Sequence, residues 1–228
     1  MDLLAFARGP GMQWATTIFV IGVIWRLVGI LLLRGRKVLS APRSTKPWKG
    51  LRLLALRSWP RKEFLEGTAF GEIMGYTFHI GLFVALLFYL PHVLFFEDIW
   101  KSLLGVNFHR VFGFDWPTLP GGLIYFFSAV SVAALIAVLI HRIFDPVKRM
   151  ISNFDDYFSW FVTITPIVTG MVAYGHFGAP YPTLLAVHLL SVELLLIWFP
   201  FGKLMHAFTI FAARAVQGVT FERKGASL

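Results

Sequence analysis

The chain has 228 residues, of which 57% are hydrophobic and 17% aromatic, and it contains no cysteine. Soluble domains are roughly 45–50% apolar, so an ordinary soluble fold is excluded; so are disulfides, thiolate metal sites and cysteine-held iron–sulfur clusters within the chain. The formal charge of +9 sits between apolar runs, where the positive-inside rule explains it and no nucleic-acid partner is needed.

In chain order, residues 1–13 read as a short polar lead. With its acidic start and no small-residue cleavage site after the first apolar run, this is not the pattern of a signal peptide. The first span is expected over about 14–33, with Arg26 inside it. A basic loop follows over 34–71, carrying Arg34, Arg36, Lys37, Arg43, Lys46, Lys49, Arg52, Arg57, Arg61 and Lys62. Within it, 47 PWKGLRLLALRSWP 60 interleaves Leu and Trp with Arg and Lys, which suits an interfacial amphipathic helix or an irregular basic loop equally. Further spans are expected over about 72–96, 121–141, 157–174 and 183–202, the last continuing as helix past Lys203 and His206. The segments 97–120 and 175–182 read as loops, and 207–228 as a tail.

The predicted fold is therefore an all-α membrane protein of five transmembrane helices forming one domain over 1–228. Lys and Arg concentrate after spans one and three and in the tail. Those segments belong in the cytoplasm, which puts the N-terminus outside and the C-terminus inside.

The histidines carry the chemistry. Imidazole inside a span is uncommon and usually functional. His188 and His206 are eighteen residues apart; on one continuous helix that is five turns, the same face, and a rise of about 27 Å, close to the bilayer's apolar thickness. His79 lies at the depth of His206, so the two could hold one b haem from opposite helices, and the alternative is an interhelical hydrogen bond. His92 is the candidate partner for His188. Its phase is poor on an ideal helix: thirteen residues from His79 give about 220°, and Pro91 just before it is the available source of distortion. One haem or two is left open. His109 and His176 read as loop residues and His141 as interfacial. Glu193, inside span five, suits a proton relay or a pairing with Arg26 or another basic group. Arg142 and Lys203 are candidate propionate partners.

The stretch 78 FHIG 81, the pair Pro91-His92, and His188 followed by 199 FPFGKLMH 206 resemble the haem-b membrane (gamma) subunit of respiratory nitrate reductase, over about residues 70–215. The resemblance implies five spans holding two b haems, His79 and His206 on the inner one and His188 on the outer. It implies quinol or quinone reacting near the outer haem, and electrons passing to a cytoplasmic iron–sulfur subunit and a catalytic subunit. The location implied is a prokaryotic cytoplasmic membrane. This sequence departs where the family's second ligand on span two falls ten residues after the first, since that position is Tyr89. His92 would then take the role, or the outer haem would be missing.

The function expected is transmembrane electron transfer as a subunit of a quinol-dependent oxidoreductase, not a complete enzyme alone. Glu97, Lys101 and His92, at the outer end of the second span, are candidates for quinol contact and proton exit, with ordinary interfacial charge as the alternative. The basic inner face suits an acidic partner or anionic membrane lipids. Cytochromes b of sulfite-reduction-associated or heterodisulfide-reductase-like complexes fit the same pattern. A transporter or structural anchor is the reading from a different class.

Overall fold

The structure is a computed structural model, which describes residues 2–33, 41–44, 46–56 and 65–226. The described residues are helical, with no strand among them. Five helices are long and apolar enough to cross a membrane: α1 (Leu3–Leu32), α2 (Leu65–Phe88), α5 (Gly121–Phe144), α7 (Phe154–Gly175) and α8 (Tyr181–Trp198). Shorter helices lie between and after them: α3 (Leu90–Leu104), α4 (Phe108–Phe112), α6 (Pro146–Ile151) and α9 (His206–Lys224). The chain is a multi-pass membrane protein. Its large outward-facing side chains, such as Trp25 at 78% exposed and Leu31 at 82%, would be a liability in water and suit a lipid surround.

Local chemistry sets the helix ends. Asp145 accepts from the N–H groups of Val147 and Lys148 and starts α6, with Pro146 in its first turn. Asn153 and Asp156 form a reciprocal capping box at the start of α7. Gly105 and Gly113 stop α3 and α4 in the left-handed conformation.

The spans pack in an arc. α2 lies on α5, α5 on α7, α7 on α8 and α8 on α1. The α2–α5 seam is close: Gly81 is buried with no room for a side chain between it and Phe127 and Ser131, and the Ser131 hydroxyl donates to the Phe78 carbonyl at 3.3 Å. The α8–α1 seam uses Gly22 against Pro200 and Phe19 edge-on to Phe199, ring centres 5.4 Å apart.

Several expected boundaries move. The first span begins at Leu3, so the lead is helix, and it holds a π-helical turn over Ala7–Gly11 that contains Pro10. The second span ends at Phe88. Tyr89 is extended, with φ −82° and ψ 123°, and α3 starts anew, so 97–120 is largely helical. The fifth span stops at Trp198, because Pro200 cannot donate to the Leu196 carbonyl and Gly202 is extended at φ −100°, ψ −175°. A continuous helix from His188 to His206 is therefore corrected.

The tail is helical too, as α9. It packs on the 3₁₀ turn Pro47–Arg52 and the short helix Leu53–Leu56, with Gly50 pressed on the Gly218 backbone. The segment read as an interfacial helix is thus helical over 47–56 and rests on α9. Its residues 57–60, and Arg34, Arg36, Lys37, Arg61 and Lys62 of the basic loop, lie outside the described residues.

Candidate functional site: two facing histidine pairs

The break at Tyr89 decides where His92 points. Pro91 has no N–H, so the Leu87 carbonyl loses its normal helical donor. The Trp116 indole N–H takes that place at 2.8 Å. The Phe88 carbonyl accepts from the Leu119 N–H at 2.9 Å, and the Ala85 carbonyl meets Nδ1 of His92 at 2.9 Å. The break is thus closed by named donors, as buried backbone requires. It also resets the helical phase and turns His92 toward α8.

There His92 faces His188. The ring centres are 6.2 Å apart and the planes 23° from parallel. His188 sits in a recess over Gly170: an added side-chain carbon there would lie 3.1 Å from the imidazole. Its Nδ1 is 3.3 Å from the Thr169 hydroxyl, which also meets the Ser191 hydroxyl at 2.9 Å.

The second pair forms at the other end of the bundle. His79 on α2 faces His206, the first residue of α9, with ring centres 6.1 Å apart and planes at 83°. Nδ1 of His79 is 2.7 Å from the Gly75 carbonyl, and Nδ1 of His206 is 2.9 Å from the Lys203 carbonyl. The break before His206 is pinned to the start of α7. The Trp198 indole donates to Ser159 at 2.9 Å, Ser159 donates to Asp155 at 2.6 Å, and the Lys203 N–H donates to Asp155 at 3.2 Å.

Each of the four imidazoles has Nδ1 against an oxygen. For His79, His92 and His206 that oxygen is a carbonyl, so Nδ1 carries the proton and the Nε2 lone pair is available; for His188 it is the Thr169 hydroxyl, which can donate or accept. No hydrogen bond joins the two rings of either pair. Two imidazoles sharing one iron at roughly 2 Å each have ring centres about 6 Å apart. The donor set and spacing of both pairs therefore fit a bis-histidine haem. α3 and α8 share no packed seam, nor do α2 and α9, so each pair meets across helices that are not otherwise packed together. Among the described residues, no group of three or more His, Cys, Asp or Glu comes together to hold a metal ion.

Beside His92 lies a cavity of about 580 Å³, lined by Tyr89, Leu90, Pro91, Thr118, Leu119, Pro120, Gly121 and Tyr174. The Tyr89 ring is edge-on to His92 at 5.2 Å and lies 6.1 Å from Tyr174. These tyrosines and Thr118 were not among the sequence candidates. The signal was the twin triplet, 89 YLP 91 and 118 TLP 120, whose two halves line the same cavity.

The other candidates fall as follows. Glu97 is half-buried and Lys101 exposed, both on α3 beyond His92, and neither lines the cavity. Arg142 and Lys203 converge on Asp156, Arg142 at 3.0 Å. His109 pairs with Asp115 at 2.8 Å. His176 stacks on Tyr181 at 5.1 Å, and His141 is edge-on to Phe70 at 4.6 Å. Glu193 is not paired with Arg26: the carboxyl is buried against Gly11, and Arg26 is exposed fifteen residues further along α1.

No family model and no solved structure matches the chain. A protein of Nitratidesulfovibrio vulgaris is 30% identical over 235 residues, covering 97% of this chain and 95% of that protein. The chain belongs to the same family as that protein.

Proposed function

We propose that this chain is a haem-b membrane subunit that moves electrons between a quinol or quinone and a cytoplasmic iron–sulfur partner. One observation carries the reading: two histidine pairs, at opposite ends of one bundle, each with ring centres 6.1–6.2 Å apart and with Nδ1 of every ring committed elsewhere. His79 and His206 would hold one b haem and His92 and His188 the other, each haem supplying a one-electron redox centre when bound.

The remaining work falls to the protein. The Nδ1 contacts orient each imidazole, and for His79, His92 and His206, whose partners are carbonyls, they also fix the tautomer. Gly170 admits the close approach of the His188 ring, so that ring is set by packing. The basic segments 41–56 and 214–224 lie at the His206 end, and the positive-inside rule puts that end in the cytoplasm. The His92 end then faces outside. Its apolar cavity suits the ring of a quinol, and the Tyr89, Tyr174 and Thr118 hydroxyls are the hydrogen-bonding groups for the quinol oxygens. Glu97 and Lys101, further out on α3, are placed to pass protons to the outer phase. The basic inner face suits an acidic iron–sulfur subunit that in turn serves a catalytic subunit.

Single substitutions test the assignment. His79→Ala or His206→Ala should remove one spectral component of the purified, haem-replete protein, and His92→Ala or His188→Ala should remove the other. An unchanged spectrum in any of the four would remove that residue from the assignment.

A further inference from the structure

Glu193 lies near the middle of α8 and is 5% exposed, and its Oε1 has no hydrogen-bond partner among the described residues. An ionised carboxylate without a partner inside a bilayer is costly, so such a group stays neutral or marks a pathway. The carboxyl does not face the histidine pairs. It is pressed on Gly11, the last residue of the π-helical turn in α1. Ala7 and Gly11 of that turn are buried, while Gly9 has open space beside it. Pro10 has no N–H, and the wider π-turn replaces the regular helical ladder here, a local irregularity that frequently accompanies function.

The ionisable groups on the surrounding elements leave Glu193 without a counter-charge. On α1, Arg8 and Arg26 are exposed. Asp2 precedes α1 and is exposed. On α7, Asp155 and Asp156 are bound to Ser159, Lys203 and Arg142. Tyr157 and Tyr174 lie near the two ends of α7. On α8 itself, His188 turns to Thr169 and His92, and Tyr181 stacks on His176.

We propose that Glu193 is a proton-binding site in the membrane interior, separate from the histidine pairs, that takes up and releases its proton through the π-turn of α1. The step is a proton transfer between water and the carboxylate, with no change in redox state. The site does not depend on haem.

A hydrophobic carbodiimide tests it on the full chain in its membrane. Such a reagent reacts with a protonated carboxyl in an apolar setting: the carboxyl oxygen bonds to the central carbon, the proton moves to a nitrogen, and the adduct rearranges to a stable N-acylurea. With dicyclohexylcarbodiimide at neutral pH, mass spectrometry should find the adduct on Glu193 and not on Glu97, Asp98 or Glu222. A water-soluble carbodiimide added to the same membranes should leave Glu193 unlabelled. Glu193→Gln should lose the adduct and also lose a protonated-carboxyl C=O band in the infrared spectrum. An unlabelled Glu193 peptide recovered in good yield, or Glu193 labelled as readily by the water-soluble reagent, would overturn the proposal. So would an infrared band that survives in Glu193→Gln.

Discussion

His92 and His188 face each other at 6.2 Å between ring centres, from helices that share no packed seam. The relationship depends on a helix break rather than on helical periodicity. Thirteen residues of unbroken helix would put His92 nearly opposite His79; the extended Tyr89 and the Pro91 that follows turn it back. Substituting Pro91→Ala restores an N–H donor for the Leu87 carbonyl and favours continuous helix. The expected outcome is loss of the His92–His188 spectral component with the His79–His206 component intact, read in reduced-minus-oxidised spectra.

The indole of Trp116 closes the same break. Trp116→Phe keeps most of the aromatic surface but strands the Leu87 carbonyl. It should cost about 1 kcal/mol, seen as a lower thermal midpoint in detergent, and should broaden the spectrum of the nearby haem.

Gly170 gives His188 its recess. Gly170→Val puts carbon where the imidazole now lies, with the nearest ring atom only 3.1 Å from even the first added carbon. The side chain must move off its partner, so the haem content per chain should fall by one. Gly170→Val protein that retains full haem content would show that the recess is not needed.

Asp156 ties Arg142 of α5 to Lys203, just before the second helix break. Its side chain is 6% exposed. Asp156→Ala leaves Arg142 with the Ser152 hydroxyl alone and removes the Lys203 ammonium's tie, while the Lys203 N–H keeps Asp155, so the turn whose Lys203 carbonyl holds His206 loosens. The expected cost is roughly 1–3 kcal/mol, with the spectral change confined to the His79–His206 component.

Asp145 gives a pH dependence outside the membrane spans. The backbone N–H groups of Lys148 and Val147 hold its carboxyl below the ordinary value. A carboxyl with a depressed folded pKa contributes stability above its unfolded pKa, and that contribution is lost as pH falls through the folded value. Amide exchange at Val147 and Lys148 should therefore quicken in acid, relative to the intrinsic rate, and be constant around neutrality. Asp145→Asn keeps an acceptor and should abolish the pH dependence.

The spans were largely legible because twenty-residue apolar runs with charged flanks have few other uses. Their ends were less so. A proline inside an apolar run, such as Pro200, is compatible with a mere bend, but with extended Gly202 two residues on the helix stops, and His206 opens a new one. The five-turn alignment of His188 with His206 therefore rested on a helix that is not continuous. The pairing of His92 with His188 was reachable from residue type and position along the chain, but its phase was not. Capping of the Leu87 and Phe88 carbonyls comes from residues 116 and 119, a non-local contact that no local pattern encodes. For the same reason the sequence marks Tyr89 only as a departure from the family's ligand position and does not single out Tyr174. One lies in the break after the second span and the other in the fourth span, and only the folded chain brings them to one cavity.

The most direct measurement is the haem-to-protein ratio of the purified chain, by pyridine haemochrome assay after haem-replete expression. Two b haems per chain are predicted. A ratio of one would remove one histidine pair from the account, and a colourless protein would contradict it altogether.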